Sequence, residues 1–202
     1  MQQYRVKDDI KNMAVLETER LKLRPWTRRD ACDFYEYAKQ PEVGPAAGWM
    51  PHKSIDETIR IIEDCLLYNQ YAWAMELRAT GHVIGNINLR DDVKRGEHLG
   101  YTLGFSMSRD YWGLGLMPEA GVAVIRHAFD TMHIHLLSVF HYPHNMRSRR
   151  VIEKLGFTYE GRLRNAARLD DGSIFDELCY SMMRSEYNAI YKRQPQEGRR
   201  HG

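Results

Sequence analysis

Tyr111-Trp112-Gly113-Leu114-Gly115-Leu116-Met117-Pro118-Glu119-Ala120 is the stretch that decides the fold. A long β-type run, His98 to Ser108, precedes it, and a helical pattern with Pro118 in its first turn follows. Glycines between a strand and a helix N-terminus let backbone N–H groups converge with no Cβ in the way. The helix dipole adds positive potential, so a phosphate or pyrophosphate can sit there. The lysine of a P-loop and the third glycine of a dinucleotide fingerprint are both missing. Taken alone, Gly-x-Gly is explained equally well as a tight structural turn.

Outward from this stretch, strands and helices interleave, which predicts one mixed α/β domain. Thr18 to Arg24 alternates as a strand. Thr27 then offers an N-cap to a helix ending near Pro41, and Gly44 to Pro51 reads as a loop. Ser54 and Glu57 form a capping box before a helix whose Ile55, Ile59, Ile62 and Leu66 make one buried stripe. Tyr71 to Arg78 and His82 to Arg90 are strands joined at Ala79-Thr80-Gly81. Past the quoted stretch, Met117, Gly121, Val124, Ile125 and Ala128 form the apolar face of the next helix. Ile134 to Tyr142 is a strand, and Asn145 to Leu155 a helix stopped at Gly156. From Phe157 two further strands turn at Asp170-Asp171-Gly172.

A chain of 202 residues suits one large domain, which at this size needs no metal or disulfide to fold. Lys and Arg number 29 against 27 Asp and Glu, a net +2, so a chain-wide basic coat for nucleic acid is excluded. Cys32, Cys65 and Cys179 are far apart and contain no CxxC pair. Buried, reduced cysteines in a cytoplasmic protein are the plain reading. No signal peptide or membrane span is recognisable, and no membrane partner is expected. The expected organisation is an N-terminal extension over 1–16, the domain over 17–188, and a basic, disordered tail over 189–202.

Thirty residues beyond the glycines comes Asn145-Met146-Arg147-Ser148-Arg149-Arg150-Val151-Ile152-Glu153-Lys154-Leu155-Gly156-Phe157, followed by Glu160-Gly161 and Leu163-Arg164. With Thr18-Glu19-Arg20-Leu21 at the opening, these motifs resemble the GNAT acetyltransferase superfamily, in its RimJ/RimL-like branch of ribosomal-protein alanine N-acetyltransferases. The resemblance runs through Tyr187. It implies a central mixed, mostly antiparallel sheet flanked by helices, and acetyl-CoA as co-substrate. It further implies that the loop Trp112, Gly113, Leu114, Gly115, Leu116 and Met117 wraps the pyrophosphate with backbone amides. Phe105, Ser106 and Met107 are then expected to pair with the pantetheine arm, and Asn145, Ser148 and Arg150 to contact the cofactor. Trp112 and Met117 stand where the superfamily usually has Gln or Arg and Gly or Ala.

The implied reaction is attack of a primary amine on a thioester through a tetrahedral oxyanion, which needs a neutral amine and a proton for the departing thiolate. Positions where the family often carries glutamates hold Thr102 and Ser138, and the tyrosine acid of related branches is Ile152. Ser148 matches the serine of this branch and is the candidate acid, or a hydrogen-bond donor to the thioester sulfur. Replacement bases near the strand are Glu97, His98 and Tyr101, of which His98 titrates in the useful range. An α-amine of pKa about 7.7–8.0 is roughly one-fifth neutral near pH 7.3, whereas a lysine near 10.4 is about a thousandth neutral. A missing base therefore favours a protein or peptide N-terminus as acceptor. A small-molecule amine such as a polyamine or aminoglycoside is the alternative, served by an acidic pocket from Asp56, Glu57, Asp91 or Asp92. A silent acyl-CoA-binding module is the rival from another class.

His133, His135, His141 and His144 invite a metal reading, with His133 and His135 on one face of a strand, yet no Cys or carboxylate completes the set, so no metal is expected. Tyr35, Tyr37 and Trp49 read either as core or as acceptor-pocket lining. Dimers are common among similar proteins, and the spacing leaves the oligomeric state, homodimer or monomer, open. Charge is uneven: Arg147, Arg149, Arg150, Lys154, Arg162, Arg164 and Arg168 face only Glu153 and Glu160 between Asn145 and Arg168. As a group they suit the phosphates of one small anionic cofactor.

Overall fold

The computed structural model describes residues 13–67, 69–95 and 100–192. Eight strands form one sheet: β1 (Leu16–Glu17), β2 (Leu21–Pro25), β3 (Ala72–Leu77), β4 (Val83–Asp91), β5 (Tyr101–Met107), β6 (Leu136–His141), β7 (Thr158–Arg168) and β8 (Ile174–Met183), in the order β1-β2-β3-β4-β5-β6-β8-β7. Every neighbouring pair is antiparallel except β5 with β6. Parallel neighbours need a crossover, and α4 (Leu116–Arg126) supplies it.

Alternation along β3 divides the core between the two faces. Trp73 and Met75 join α4 and α5 (Met146–Lys154) in one cluster, with Leu103, Val124, Ile125, Leu137, Val139 and Ile152. Ala72 and Ala74 meet Trp26, Phe34, Tyr37 and Ile62 on the other face, under α1 (Ala31–Ala38) and α3 (Ile55–Ile61). Arg24 ties α1 to the sheet: it donates to both oxygens of Asp30 at 2.8 Å and to Glu76 at 2.5 Å. Asp30 in turn accepts from the Thr27 N–H at 2.8 Å, which starts the helical stretch where the sequence places it. The expected face of α4 is buried throughout, from Met117 to Ala128.

Other expectations change. Gly44–Ala47 is a four-residue helix, α2, not a loop; Pro45 at its start fixes φ in the helical range. The stripe on α3 fails: Ile55 is exposed, Ile59 and Leu66 are half-buried, and Thr58 is buried in their place. Thr58 Oγ1 lies 2.8 Å from Nδ1 of buried His52, and Ile62–Leu66 winds as a π-helix, which breaks the 3.6-residue period. His133 sits at φ 56° and neither it nor His135 belongs to a strand, so their rings share no strand face. Cys32 and Cys65 are exposed rather than buried, because each falls on the outer side of its helix.

An unexpected helix, α6 (Arg184–Tyr191), closes the domain. Glu186 accepts the Met183 N–H at 2.7 Å, and Tyr187 stacks 4.6 Å from Phe129 while donating to Asp130 at 2.6 Å. Tyr191 donates to the Leu155 carbonyl at 2.9 Å. Among the described residues, regular elements run from Leu16 to Tyr191; residues 1–12 and 193–202, which hold most of the expected extension and tail, lie outside the described residues. Among the described residues no helix is long and apolar enough to cross a membrane.

Burial lowers the pKa of His52, His127 and His141 from the ordinary 6.5. The unfolded chain then binds more protons in mild acid, so stability is full above pH 6.5 and falls as pH drops below it. The melting temperature should decline between about pH 6.5 and about pH 5; a flat profile over that interval, measured by circular dichroism, would contradict this coupling.

Candidate active site

Register explains why a cleft opens in this sheet. Among the described residues β5 and β6 pair only at Tyr101 with Leu137 and Thr102 with Ser138. Beyond that point β5 continues through Met107 and β6 through His141 without facing partners, so the sheet splays. Around the gap lies a cavity of about 570 Å³. Phe105, Ser106 and Met107 form one lip, Trp112, Gly113, Gly115, Leu116 and Met117 the end wall, and Asn145, Ser148 and Arg150 the opposite lip. Val43, Ala46 and Ala47 from the α2 region close one side.

The sequence-derived set therefore converges, with one exception. Leu114 is 56% exposed and lines no part of the cavity; only its backbone belongs to the loop. Gly113 and Gly115 hold φ of 82° and 77°, values that a side chain rarely adopts. Among the described residues, the N–H groups of Gly113, Leu114, Gly115, Leu116 and Met117 have no hydrogen-bond acceptor. Five consecutive unbonded amides at the start of an 11-residue helix make a cradle for a multiply charged anion. Arg109, Arg147, Arg150 and Lys154 add positive charge around it.

Arg147, Arg150, Val151 and Lys154 recur at i, i+3, i+4 and i+7, so α5 turns one basic face to the cavity. That spacing was present in the sequence but hidden within a longer basic run. The rest of the run points elsewhere: Arg149 pairs with Glu153 at 2.7 Å, and Arg162, Arg164 and Arg168 lie on β7. Arg147 stacks 4.3 Å from the Trp112 ring centroid, and Trp112 Nε1 donates to the Met107 carbonyl at 2.9 Å. Asn145 is held by the protein at both ends of its amide: its Oδ1 accepts the Ser148 N–H at 3.1 Å, and its Nδ2 donates to the Ala46 carbonyl at 3.1 Å. Its side chain caps α5 and joins that helix to α2.

Proton-transfer groups are scarce here. Thr102 and Ser138 are buried and bonded to each other at 2.8 Å, so they pin the parallel strands together. Ile152 is core. Tyr101 packs edge-on to Tyr71 away from the cavity, and burial followed by Tyr71 pushes its phenol above the ordinary value. Glu97 and His98 lie outside the described residues. Ser148 Oγ faces the cavity and has no hydrogen-bond partner among the described residues. No described lining residue is a carboxylate, histidine, tyrosine or cysteine.

Asp56, Glu57, Asp91 and Asp92 do not line the cavity; Asp92 is buried against Arg95 at 3.1 Å. Tyr37 is core, and Tyr35 and Trp49 also stand away from the cavity. His141 Nδ1 lies 2.8 Å from the Tyr142 carbonyl oxygen, and His144 packs on Tyr142 and Phe175. Among the described residues no His, Cys, Asp or Glu group is arranged to hold a metal ion.

Comparison with known proteins bears on this geometry directly. The model of the acetyltransferase (GNAT) domain matches residues 20–158, which takes in the splayed strands, the glycine loop and α5. The chain belongs to the GNAT acetyltransferase family. It is therefore an N-acetyltransferase, with the family's acetyl-CoA as co-substrate. It is 29% identical to an N-acetyltransferase of Bacillus licheniformis, p20, over 87% of this chain and 99% of that protein. It is 38% identical to the [ribosomal protein uS5]-alanine N-acetyltransferase of Escherichia coli (strain K12), over 44% of this chain and 45% of that one. A GNAT acetyltransferase structure from Bacillus anthracis superposes with a TM-score of 0.76 at 20% identity, covering 85% of this chain and 99% of that one.

The GNAT sheet here carries its Thr102–Ser138 pair as structure. Thr102→Val should lower stability by about 1 kcal/mol and leave the pH–rate profile unchanged. A shifted acid or alkaline limb would make Thr102 part of the chemistry instead.

Proposed function

We propose that this enzyme acetylates a primary amine of low pKa, the α-amine of a protein or peptide N-terminus. The observation that carries the reading is the absence of any proton acceptor among the described cavity-lining residues. An N-terminal amine needs little help to lose its proton near neutrality, whereas a lysine side chain loses about three decades without a base. The partial likeness to the uS5-alanine acetyltransferase points the same way. A polycationic small molecule is a poorer fit: the cavity is ringed by Arg109, Arg147, Arg150 and Lys154, and the carboxylates that could draw such a substrate lie elsewhere.

When bound, acetyl-CoA supplies the activated acetyl group. The Gly113–Met117 amides and the basic face of α5 suit its phosphates, and the unpaired edge of β5 at Phe105–Met107 suits its amide-bearing arm. Ser148 Oγ, unbonded within the protein, is placed to give a hydrogen bond to the sulfur as the C–S bond breaks and the C–N bond forms. The proton lost by the amine goes to water, and water returns one to the departing thiolate. We place the enzyme in the cytoplasm and leave it without a metal or nucleic-acid partner; its oligomeric state is unassigned.

Two measurements check this. Initial rates at about pH 7 on an unblocked peptide should exceed those on its Nα-acetylated, lysine-containing counterpart by roughly two hundredfold; comparable rates would sink the proposal. Ser148→Ala should lower kcat by roughly 10² with little change in acetyl-CoA KM, and an unaltered kcat would remove Ser148 from the chemistry.

A further inference from the structure

Amides stabilise an anion only if they point at it, and a loop with two glycines does not hold its peptide planes by itself. Leu114, between those glycines, has an exposed side chain with nothing to anchor. The anchor comes from β2's approach. Arg20 Nη1 donates to the Leu114 carbonyl at 2.9 Å. The same guanidinium meets Glu119 Oε2 through Nε and Nη2, both at 2.7 Å. Glu119 also accepts the Arg20 N–H at 2.8 Å and the Thr18 hydroxyl at 2.6 Å. Glu119 lies in the first turn of α4, and its N–H donates to the Gly115 carbonyl at 3.2 Å. The nearest atom to a side chain built on Gly115 is Arg20 Nη2, at 3.7 Å, which sets the guanidinium directly behind the loop.

In a trans peptide the C=O and N–H point in opposite directions. A carbonyl of Leu114 held behind the loop therefore directs the Gly115 N–H the other way, to the cavity that Gly115 lines. Released, the Leu114–Gly115 plane could rotate and offer a carbonyl oxygen to the anion.

We propose that Arg20, fixed by Glu119 and Thr18, is a positioning residue that holds the Leu114–Gly115 peptide with its N–H facing the pyrophosphate of acetyl-CoA. This rests on the reading of the loop as the pyrophosphate site. The latch is intact at neutral pH: burial raises the Glu119 pKa, but hydrogen bonds from Thr18 and Arg20 outweigh that and hold it below the ordinary value. The latch is lost only as pH falls through that lowered value.

The test compares acetyl-CoA with S-acetylpantetheine, which has the thioester and much of the arm but no pyrophosphate. Arg20→Met and Arg20→Lys are assayed with both donors, alongside calorimetric titration with coenzyme A and thermal melts. Both variants should lose roughly tenfold in kcat/KM for acetyl-CoA, through KM with kcat kept, and lose coenzyme A affinity in parallel. Both should keep kcat/KM for S-acetylpantetheine. Lysine preserves the charge but lacks the fork that reaches Leu114 and Glu119 together, so Arg20→Lys behaving as wild type overturns the proposal. Equal losses with both donors also overturn it, since general damage then explains them. Should Arg20→Met not fold, Glu119→Gln, whose single oxygen still accepts from Thr18 and the Arg20 N–H but whose NH2 cannot accept from the guanidinium, must show the same donor-selective loss. A wild-type enzyme with no preference for acetyl-CoA over S-acetylpantetheine would remove the pyrophosphate reading itself, and the latch with it.

Discussion

Among the described residues two pairs, Tyr101 with Leu137 and Thr102 with Ser138, join the parallel strands β5 and β6, and the whole site depends on where that pairing stops. The Thr102–Ser138 hydroxyl bond seals the last rung. Beyond it β5 keeps its pairing with β4, while its other edge has no pairing with β6. Each strand then leads directly into a part of the site: β5 into the glycine loop and α4, β6 into Asn145 and α5. A sheet paired along its full length would leave no cavity and no unpaired edge for an amide-bearing ligand.

The same rung bears on the chemistry. Two hydroxyls bonded to each other satisfy their polar needs in a buried setting without the desolvation cost of carboxylates. Their place in the sheet is thereby secured, and they are unavailable to take a proton. The cavity is left with cations, amides and the hydroxyls of Ser106 and Ser148, a set that favours binding an anionic donor over activating a reluctant nucleophile. Under the proposed function, substrate choice then follows from the acceptor's own pKa.

Much of this was legible in the sequence because local chemistry wrote it there. Gly113, Gly115 and Pro118 mark a strand-to-helix turn, and Gly156 marks the end of α5. The hydroxyls at 102 and 138 already implied a site poor in bases. What escaped is of two kinds. Local period was overridden at α3, where the His52–Thr58 contact and a π-turn displaced the isoleucine stripe, and at His133, whose left-handed backbone breaks the strand pattern. Long-range contacts were invisible: Arg20 and Glu119 meet across 99 positions, and no spacing rule connects them. The functional face of α5 lay between. Its basic pattern at i, i+3 and i+7 was readable, yet only the fold separates it from the arginines of β7.

The central claim is that the amides from Gly113 to Met117 receive the pyrophosphate of the donor at the splay between β5 and β6. It is tested most directly by a two-dimensional ¹H–¹⁵N NMR titration of the labelled protein with coenzyme A. The account predicts that the largest downfield amide shifts fall on Gly113, Leu114, Gly115, Leu116 and Met117, and that pantetheine leaves these five unmoved. Saturation by coenzyme A with those resonances unchanged, and the largest shifts elsewhere on the sheet, would contradict it.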